Sequence, residues 1–345
     1  MPTSKIMRFD FFATWPHFAD HMAPIYHALA EQAGVFYVAP NIVEHVAGLG
    51  VQPVPLKPRM AGNPRDVAPP GTAPLLVAAS GDMNLALNNN RKREYIFMEH
   101  GVEIVYPNNP SYAGNDGPRR RAALTLAPNM GAFELTRKKL PKMTQVIIGT
   151  PMLDRWKGAF ERNRQLPLVP TVAISFHWDG KMVAPEAGTA FGYFEHILPE
   201  LAKQKSFKLV AHAHPRNIEQ VRPIYEKLGI EFWESFERVM DEADLYIMDN
   251  SSTIYMFLVT GKPVILLNSP KYRKNIDTGL RFWKYTDVGE QVDDPEQLIY
   301  AISRTLGDPG ARLIERRTAI ANLFPCLGFS AKVAAYSMNF FFEES

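Results

Sequence analysis

The stretch ADLYIMDNSSTIYMFLVTGKPVILL, residues 243–267, decides the fold. An apolar run ends in DNSS (249–252), and a helix-length segment follows that closes at Gly261. A second apolar run begins directly after a Lys-Pro pair. Glycine is favoured just beyond a helix, and proline cannot continue one. The pattern therefore predicts a strand, a helix and a parallel strand, the repeating unit of an α/β sheet.

The same alternation extends through the rest of the chain. Further strands are predicted at 6–13, 35–40, 74–80, 94–101, 122–129, 145–151, 171–178 and 207–214. Helices are predicted at 18–33, 192–204, 217–229 and 294–308, and the tail from about 309 is helical in pattern. The alternation indicates two successive units of parallel sheet and helices.

The length of 345 residues favours more than one core. The segment 149–156 contains a glycine and a proline, which favour a break between elements, and a new helix pattern starts there. The sequence predicts an α/β protein with two Rossmann-like domains facing a cleft. Their expected bounds are 1–150 and 151–325, with a C-terminal helix over 326–345.

Composition narrows the class of protein. Hydrophobic residues make up 46% of the chain, enough for packed cores, so disorder is excluded as the main state. The single cysteine, Cys326, excludes an intramolecular disulfide and suits a reducing compartment. Neither a signal-peptide pattern nor an apolar run of transmembrane length is evident, which predicts a cytoplasmic protein without a transmembrane segment.

The formal net charge of +2 gives no whole-chain indication of a nucleic-acid partner. Three basic clusters nevertheless lie in the first half, NRKRE (90–94), PRRRAA (118–123) and TRKKLPK (136–142). They are typical of solvated loops and helix faces, and together they also fit an anionic ligand.

Ligands of parallel α/β sheets bind outside the carboxyl ends of the strands. This rule selects polar and small residues at the predicted strand ends, namely Ser80–Gly81, His100–Gly101, Gly149–Thr150, Ser175, His177, His212, His214 and Asp249 to Ser252. At 249–252 the backbone N–H groups and hydroxyls could bind phosphate oxygens. The same residue types are common helix caps that need no ligand.

His100 precedes a glycine, so it could act as a general base that a substrate approaches closely, or it could simply occupy a turn. The chain has neither a GxxxxGK[ST] phosphate loop nor a GxGxxG after the first strand. His212 and His214 would share one face of a strand, but no third metal ligand is indicated nearby. The expectation is a site with no metal and no cofactor.

The ordered motifs resemble the CDP-glycerol glycerophosphotransferase family, enzymes that polymerise teichoic-acid-like chains. EYIFMEHGV (94–102) is similar to that family's strand ending in His-Gly, and VIIGTPMLDRW (146–156) to its Gly-x-Pro-x-x-Asp segment. KLVAHAHPR (208–216) resembles its His-Pro strand. The stretch 243–267 resembles its Asp-Tyr-Ser-Ser helix start followed by Lys-Pro.

The resemblance implies a GT-B fold, with the acceptor domain first, the nucleotide-donor domain second and a C-terminal helix crossing back. It implies group transfer from a nucleotide-activated donor without a required metal. His100 would be the base for the acceptor hydroxyl, and His214 with Arg216 would neutralise the donor phosphate. Ser251 and Ser252 would hold a donor phosphate. Together with the strand-end rule, this predicts a donor site that also includes Thr150, Ser175, His177, Asp249, Asn250 and Thr253.

Three departures leave the donor open. Asn250 replaces the family's tyrosine, Met256 stands where an aspartate is common, and SFHWDG (175–180) lacks an arginine. The alternatives are a GT-B glycosyltransferase that uses a nucleotide sugar on a polyanion, such as a phosphodiester polymer or modified nucleic acid, and a binding module without catalysis. Peripheral attachment at the membrane face also stays open.

Overall fold

The strands of the protein form two sheets in which every described pairing is parallel. The computed structural model describes residues 7–102, 117–161, 165–179, 188–276 and 280–343. The first sheet has the order β3-β2-β1-β4-β5-β6-β7. Its strands are β1 (Phe9–Ala13), β2 (Ala33–Val38), β3 (Pro53–Pro55), β4 (Leu75–Val77), β5 (Tyr95–Met98), β6 (Leu124–Ala127) and β7 (Gln145–Ile147).

The second sheet has the order β10-β9-β8-β11-β12-β13. Its strands are β8 (Thr171–Ile174), β9 (Lys208–Ala211), β10 (Glu231–Phe232), β11 (Leu245–Met248), β12 (Val264–Leu267) and β13 (Glu290–Val292). Strands β9, β8 and β11 are neighbours, so the three segments that follow them emerge at one edge.

Helices connect the strands, as expected for the alternating pattern. They are α1 (Pro16–Leu29), α2 (Val43–Gly48), α3 (Ser80–Asn89), α4 (Met130–Lys139), α5 (Phe191–Phe194), α6 (Leu198–Ala202), α7 (Ile218–Lys227), α8 (Phe236–Glu242), α9 (Thr253–Phe257), α10 (Leu298–Gly307), α11 (Leu313–Leu323) and α12 (Ser330–Glu343). Of these, α2, α3, α4 and α8 were not individually predicted. Among the described residues, no helix has the length and apolar character to cross a membrane.

The first sheet is buried on both faces, which explains why β1 is apolar at nearly every position. Phe9 and Phe11 point into a core that includes α1, α2 and α12. Phe12 points to the opposite face, into a core with Val77 and Phe97. Parallel strands covered on both sides read as continuous apolar runs rather than as an alternation.

The chain divides into two compact units. The first contains the described residues up to 102, those of 117–155 and those from 322 onward, and the second contains the described residues of 156–321. The divisions at 155/156 and 321/322 lie within five residues of the bounds expected at 150/151 and 325/326. Helix α12 belongs to the first unit and packs on α1.

The GTPMLD segment holds the C-terminal helix in place. Gly149 adopts a φ of +83°, and a Cβ there would lie 2.5 Å from the Ser330 hydroxyl. The Asp154 carboxylate accepts hydrogen bonds from the backbone N–H groups of Gly328, Ser330 and Ala331 at 2.8 to 3.0 Å. A carboxylate at a helix N-terminus satisfies otherwise unpaired donors and interacts favourably with the helix dipole.

Several elements differ from the sequence-based predictions. Strands β4, β5, β7, β8 and β9 end three or four residues before their predicted ends; β8 ends at Ile174 and β9 at Ala211. The helix predicted at 192–204 is divided into α5, a 3₁₀ turn and α6. Strands β3, β10 and β13 were not predicted, because their short sequences, PVP, EF and EQV, do not stand out as apolar runs.

Candidate active site

The second unit gathers most of the predicted donor residues at the carboxyl edge of its sheet. The segment after β8 carries Ser175 and His177, and the segment after β9 carries His214 and Arg216. The turn after β11 carries 249–253. The imidazoles of His177 and His214 lie with their ring centroids 5.4 Å apart. This edge is the one at which α/β sheets bind ligands.

Asp249 connects the segments of this edge and is itself almost completely buried. Its Oδ1 accepts from the backbone N–H of His177 at 2.8 Å. Its Oδ2 accepts from the N–H of Ala190 at 2.9 Å and from the hydroxyls of Thr189 and Tyr272, each at 3.2 Å. Burial raises the pKa of Asp249 to about 6, which these hydrogen bonds oppose. Both carboxylate oxygens are thus engaged within the fold, and Asp249 organises the edge.

The other side chains of the DNSST turn (249–253) differ in how far they are buried. Asn250 and Ser251 are buried, whereas Ser252 and Thr253 are half-buried. Ser251 Oγ accepts from the Thr253 hydroxyl at 3.1 Å, and the Asn250 amide donates to the Gly188 carbonyl at 3.4 Å. Ser252 makes no side-chain capping bond to α9. The Ser252 hydroxyl is therefore not used as a helix cap, whereas Ser251 Oγ accepts from the backbone N–H of Thr253, the first residue of α9, at 3.4 Å.

His214 is held in one orientation by the chain that follows it. The backbone N–H of Arg216 donates to His214 Nδ1 at 3.2 Å. A neutral imidazole that accepts at Nδ1 carries its proton on Nε2. His214 is therefore built to present an N–H donor.

Trp178 adds an aromatic ring that the sequence did not single out. The Arg216 guanidinium carbon lies 4.9 Å from the centre of the Trp178 ring, within cation–π distance. The Trp178 and His214 ring centroids are 6.3 Å apart. The signal that could have identified Trp178 is its position in the SFHW segment, directly after the end of β8.

His177 and Ser175 are less accessible than the strand-end rule implies. Burial lowers the pKa of His177 to about 4, and the nearby charge of Arg216 acts in the same direction. His177 is therefore neutral near pH 7 and adds no positive charge. Ser175 is fully buried beneath this edge.

His212 and His214 do not form a pair on a strand. Strand β9 ends before both, and His212 Nδ1 donates to the Trp233 carbonyl at 2.8 Å. Burial lowers the pKa of His212 to about 4. His212 thus connects the ends of β9 and β10 as a neutral, structural histidine. Within the described ranges, no group of three or more His, Cys, Asp or Glu side chains has a geometry suited to a metal.

Thr150 belongs to the first unit, whereas the other donor candidates belong to the second. It is buried in the turn after β7, where its carbonyl accepts from the N–H of Leu153 at 3.0 Å.

His100 lies directly after β5, at the carboxyl edge of the first sheet. Its Nδ1 donates to the Ala78 carbonyl at 2.5 Å, which leaves the lone pair of the neutral ring on Nε2. This is the opposite tautomer to that of His214. In their neutral forms, His100 thus has its lone pair on Nε2, whereas His214 has its proton there.

The carboxyl edge of the first sheet also contains an arginine from one of the basic clusters. Arg119 packs over the Phe97 ring and donates to Ser80 Oγ at 2.6 Å and to Glu99 at 3.1 Å. Glu99 immediately precedes His100, so this mostly buried ion pair lies beside the candidate base. Sequence reasoning treated PRRRAA as a general basic cluster and did not single out Arg119.

The NRKRE cluster lies elsewhere. It precedes β5, so it belongs to the amino edge of the sheet, opposite His100. Arg93 is buried, forms an ion pair with Asp10, and donates to the carbonyls of Pro70 and Ala73 at 2.6 Å each. Its role is to hold β1, β5 and the loop before β4 together.

Comparison with known proteins identifies the architecture. No family model matches the chain, and no curated protein matches its sequence. Solved structures match over nearly its whole length. A Listeria monocytogenes protein assigned as a UDP-N-acetylglucosamine 2-epimerase is 17% identical, covers 99% of this chain and 98% of its own, and has a TM-score of 0.66. A Methanocaldococcus jannaschii UDP-GlcNAc 2-epimerase in complex with UDP-GlcNAc and UDP is 13% identical, with coverages of 97% and 100% and a TM-score of 0.64.

A third match is the wall teichoic acid polymerase TagF, soaked with CDPG. It is 14% identical, covers 98% of this chain and 88% of its own, and has a TM-score of 0.62. The chain has a GT-B fold. The GT-B architecture that the motif resemblance implied is thereby confirmed. At these identities the likeness establishes the fold, and the reaction has to be argued from the site.

Proposed function

We propose that the protein transfers a group from a nucleotide-activated donor of the CDP-glycerol kind to an acceptor hydroxyl. The acceptor oxygen would attack the donor phosphorus, the phosphorus–oxygen bond to CMP would break, and His100 would take the acceptor proton. In this proposal the transfer requires neither a metal nor a cofactor. The observation that carries the proposal is the opposite tautomers of His100 and His214, each at the carboxyl edge of a sheet.

The proposed donor site combines a positive charge with N–H donors. His214 Nε2–H would bond to a phosphate oxygen, and Arg216 would supply the formal charge as CMP leaves. The half-buried hydroxyls of Ser252 and Thr253 follow β11 at the same edge. Donors aimed at developing negative charge stabilise a transition state strongly when they are oriented beforehand.

A second candidate is 2-epimerisation of a UDP-sugar, and it is favoured by the epimerases among the similar structures. It would need no acceptor and would exchange the proton at C2 with solvent.

A glycosyltransferase that releases UDP is the third candidate. It is consistent with Met256, whose buried side chain offers a donor no carboxylate where the CDP-glycerol family commonly has an aspartate. Arg93 and Arg119 are engaged within the fold, so a polyanionic acceptor would depend on the exposed basic residues of the clusters, such as Lys92.

The test is a donor panel with quantified leaving groups. CDP-glycerol is incubated with a short glycerol phosphate oligomer, and UDP-sugars are incubated with and without that oligomer in deuterated water. Acceptor-dependent CMP release supports the proposal. UDP release would favour a glycosyltransferase, and deuterium at C2 an epimerase. Thermal stabilisation by CMP without turnover of any donor would favour a binding module.

Paired variants then test the two histidines. His100→Gln should lower kcat by about 10²- to 10⁴-fold, because glutamine cannot accept a proton. His214→Gln keeps an N–H donor and should lose less activity than His214→Ala, for which we expect about a 10²- to 10³-fold loss. The exposed His27 provides the control, His27→Gln. Full activity in His100→Gln, or equal losses in both His214 variants, would contradict these roles.

A further inference from the structure

His100 lies against the beginning of helix α1. The Phe18 ring meets it edge-on with the centroids 4.8 Å apart. His17 and His21 lie at ring-centroid distances of 5.7 and 6.2 Å. Because His17 and His21 are four residues apart on a helix, they share one face. Three of the nine histidines of the chain therefore meet at this edge.

The His21 side chain is buried next to His100. It is only 4% exposed, and its Nδ1 is buried without a hydrogen-bond partner among the described residues. Burial, with a smaller contribution from His100, lowers the pKa of His21 to about 3. The ring is therefore neutral near pH 7 and brings no charge to His100. What it does bring is a side chain that occupies space next to His100.

We propose that Phe18 and His21 form a water-excluding wall behind His100 that keeps the His100 imidazole neutral and fixed in orientation. Exclusion of water disfavours the charged imidazolium, and a general base must be unprotonated near neutral pH to act. The hydrogen bond to Ala78 fixes one edge of the His100 ring, and the wall restricts the rest. This positioning role rests on the proposed function of His100.

The charged and titratable groups around His100 explain why such a wall would be needed. On its own segment, Glu99 is paired with Arg119. Helix α1 contributes His17 besides His21. Carboxylates near an imidazole favour its charged form. The wall acts in the opposite direction and favours the neutral ring.

The test follows the protonation of His100 directly, without substrate. Full-length protein with ¹³C-labelled histidine is titrated by NMR, and the His100 signal is assigned from its loss in His100→Gln. His21→Ala leaves room for water beside the ring, whereas His21→Phe keeps the wall and removes only the imidazole. His27→Ala, on the exposed side of the same helix, is the control, and circular dichroism checks that each variant is folded.

We expect His21→Ala to raise the titration midpoint of His100 by about half a pH unit or more, because restored solvation favours the imidazolium. His21→Phe and His27→Ala should leave it unchanged. The acid limb of kcat/KM should move to higher pH in His21→Ala alone. An unchanged midpoint in a folded His21→Ala, or equal shifts in the alanine and phenylalanine variants, would overturn the wall. Full transfer activity in His100→Gln would instead overturn the proposed base, so the two failures are distinguishable.

Discussion

At the scale of single residues, the chemistry that His100 and His214 can each perform depends on which ring nitrogen carries the proton. His100 donates through Nδ1 to a carbonyl, and His214 accepts at Nδ1 from a backbone N–H. A carbonyl can only accept and an N–H can only donate, so the backbone decides both tautomers. Residue identity alone would assign both histidines the same range of roles. Local backbone geometry separates a base from a hydrogen-bond donor.

Asp82 supplies a residue-scale prediction about pH. It accepts from the Thr14 N–H at 3.0 Å and from its hydroxyl at 2.6 Å, and burial raises its pKa from 3.8 to about 7. The folded protein thus holds this proton more tightly than the unfolded chain does. The contribution of Asp82 to the free energy of unfolding is therefore full below about pH 4 and is lost as the pH rises to about 7.

Asp82→Asn should remove that dependence, because asparagine stays neutral and can still bond to Thr14. The stability of the variant relative to the parent should rise steadily from about pH 4 to pH 7. Urea unfolding at several pH values within this range measures the difference. A difference that does not change with pH would show that Asp82 ionises as it does in the unfolded chain.

At the scale of elements, the attachment of α12 depends on two residues of the segment after β7. Gly149 lets Ser330 approach, and Asp154 bonds to three backbone N–H groups at the beginning of α12. The Gly-x-Pro-x-x-Asp motif therefore has a structural explanation that is independent of catalysis. Lys262 is similar, because its ammonium donates to the carbonyls of Met240 and Asp241 at 2.9 Å, at the end of α8.

Gly149→Ala and Gly158→Ala form a matched pair. Both glycines have a positive φ, +83° and +74°, so each alanine carries a backbone strain of about 1–2 kcal/mol. Only Gly149 has a close neighbour, since a Cβ there would also lie 3.0 Å from Cys326 Cβ, whereas nothing lies within 4 Å at Gly158. Gly149→Ala should therefore cost about 1–3 kcal/mol more than Gly158→Ala in chemical unfolding. Equal losses would mean that the contact with α12 relaxes without cost.

At the scale of the whole molecule, the two units provide two separate sheet edges with different chemistry. The second-unit edge carries His214, Arg216 and the DNSST turn, and the first-unit edge carries His100. We expect CMP to slow backbone hydrogen exchange at 175–178, 212–216 and 250–254, because ligand binding opposes local opening. Exchange around 96–102 should change little with CMP alone. Mass spectrometry of peptides measures the exchange. Protection confined to the first unit would show that the first unit, and not the second, binds the nucleotide.

Much of the fold could be predicted, because its signals are local. The apolar runs and their spacing located β1, β2, β4 to β9, β11 and β12, and the turn at Gly261 marked the end of a helix. The strand ends then selected His100 and His214 as candidates. Several strands, including β7, β8 and β9, were predicted three or four residues too long, because apolar residues continue beyond the last hydrogen bonds between the strands.

The sequence by itself determined the order of most strands and of the longer helices, the α/β class and the short set of polar residues at strand ends. Only the tertiary structure decided what each of those residues does. Asp249 meets Ala190, 59 residues away, and Arg93 meets Asp10, 83 residues away. A polar side chain becomes part of the scaffold when distant backbone groups occupy its hydrogen-bonding atoms, and it can bind a ligand when they do not. That distinction depends on contacts between segments far apart in the chain, which no local pattern encodes.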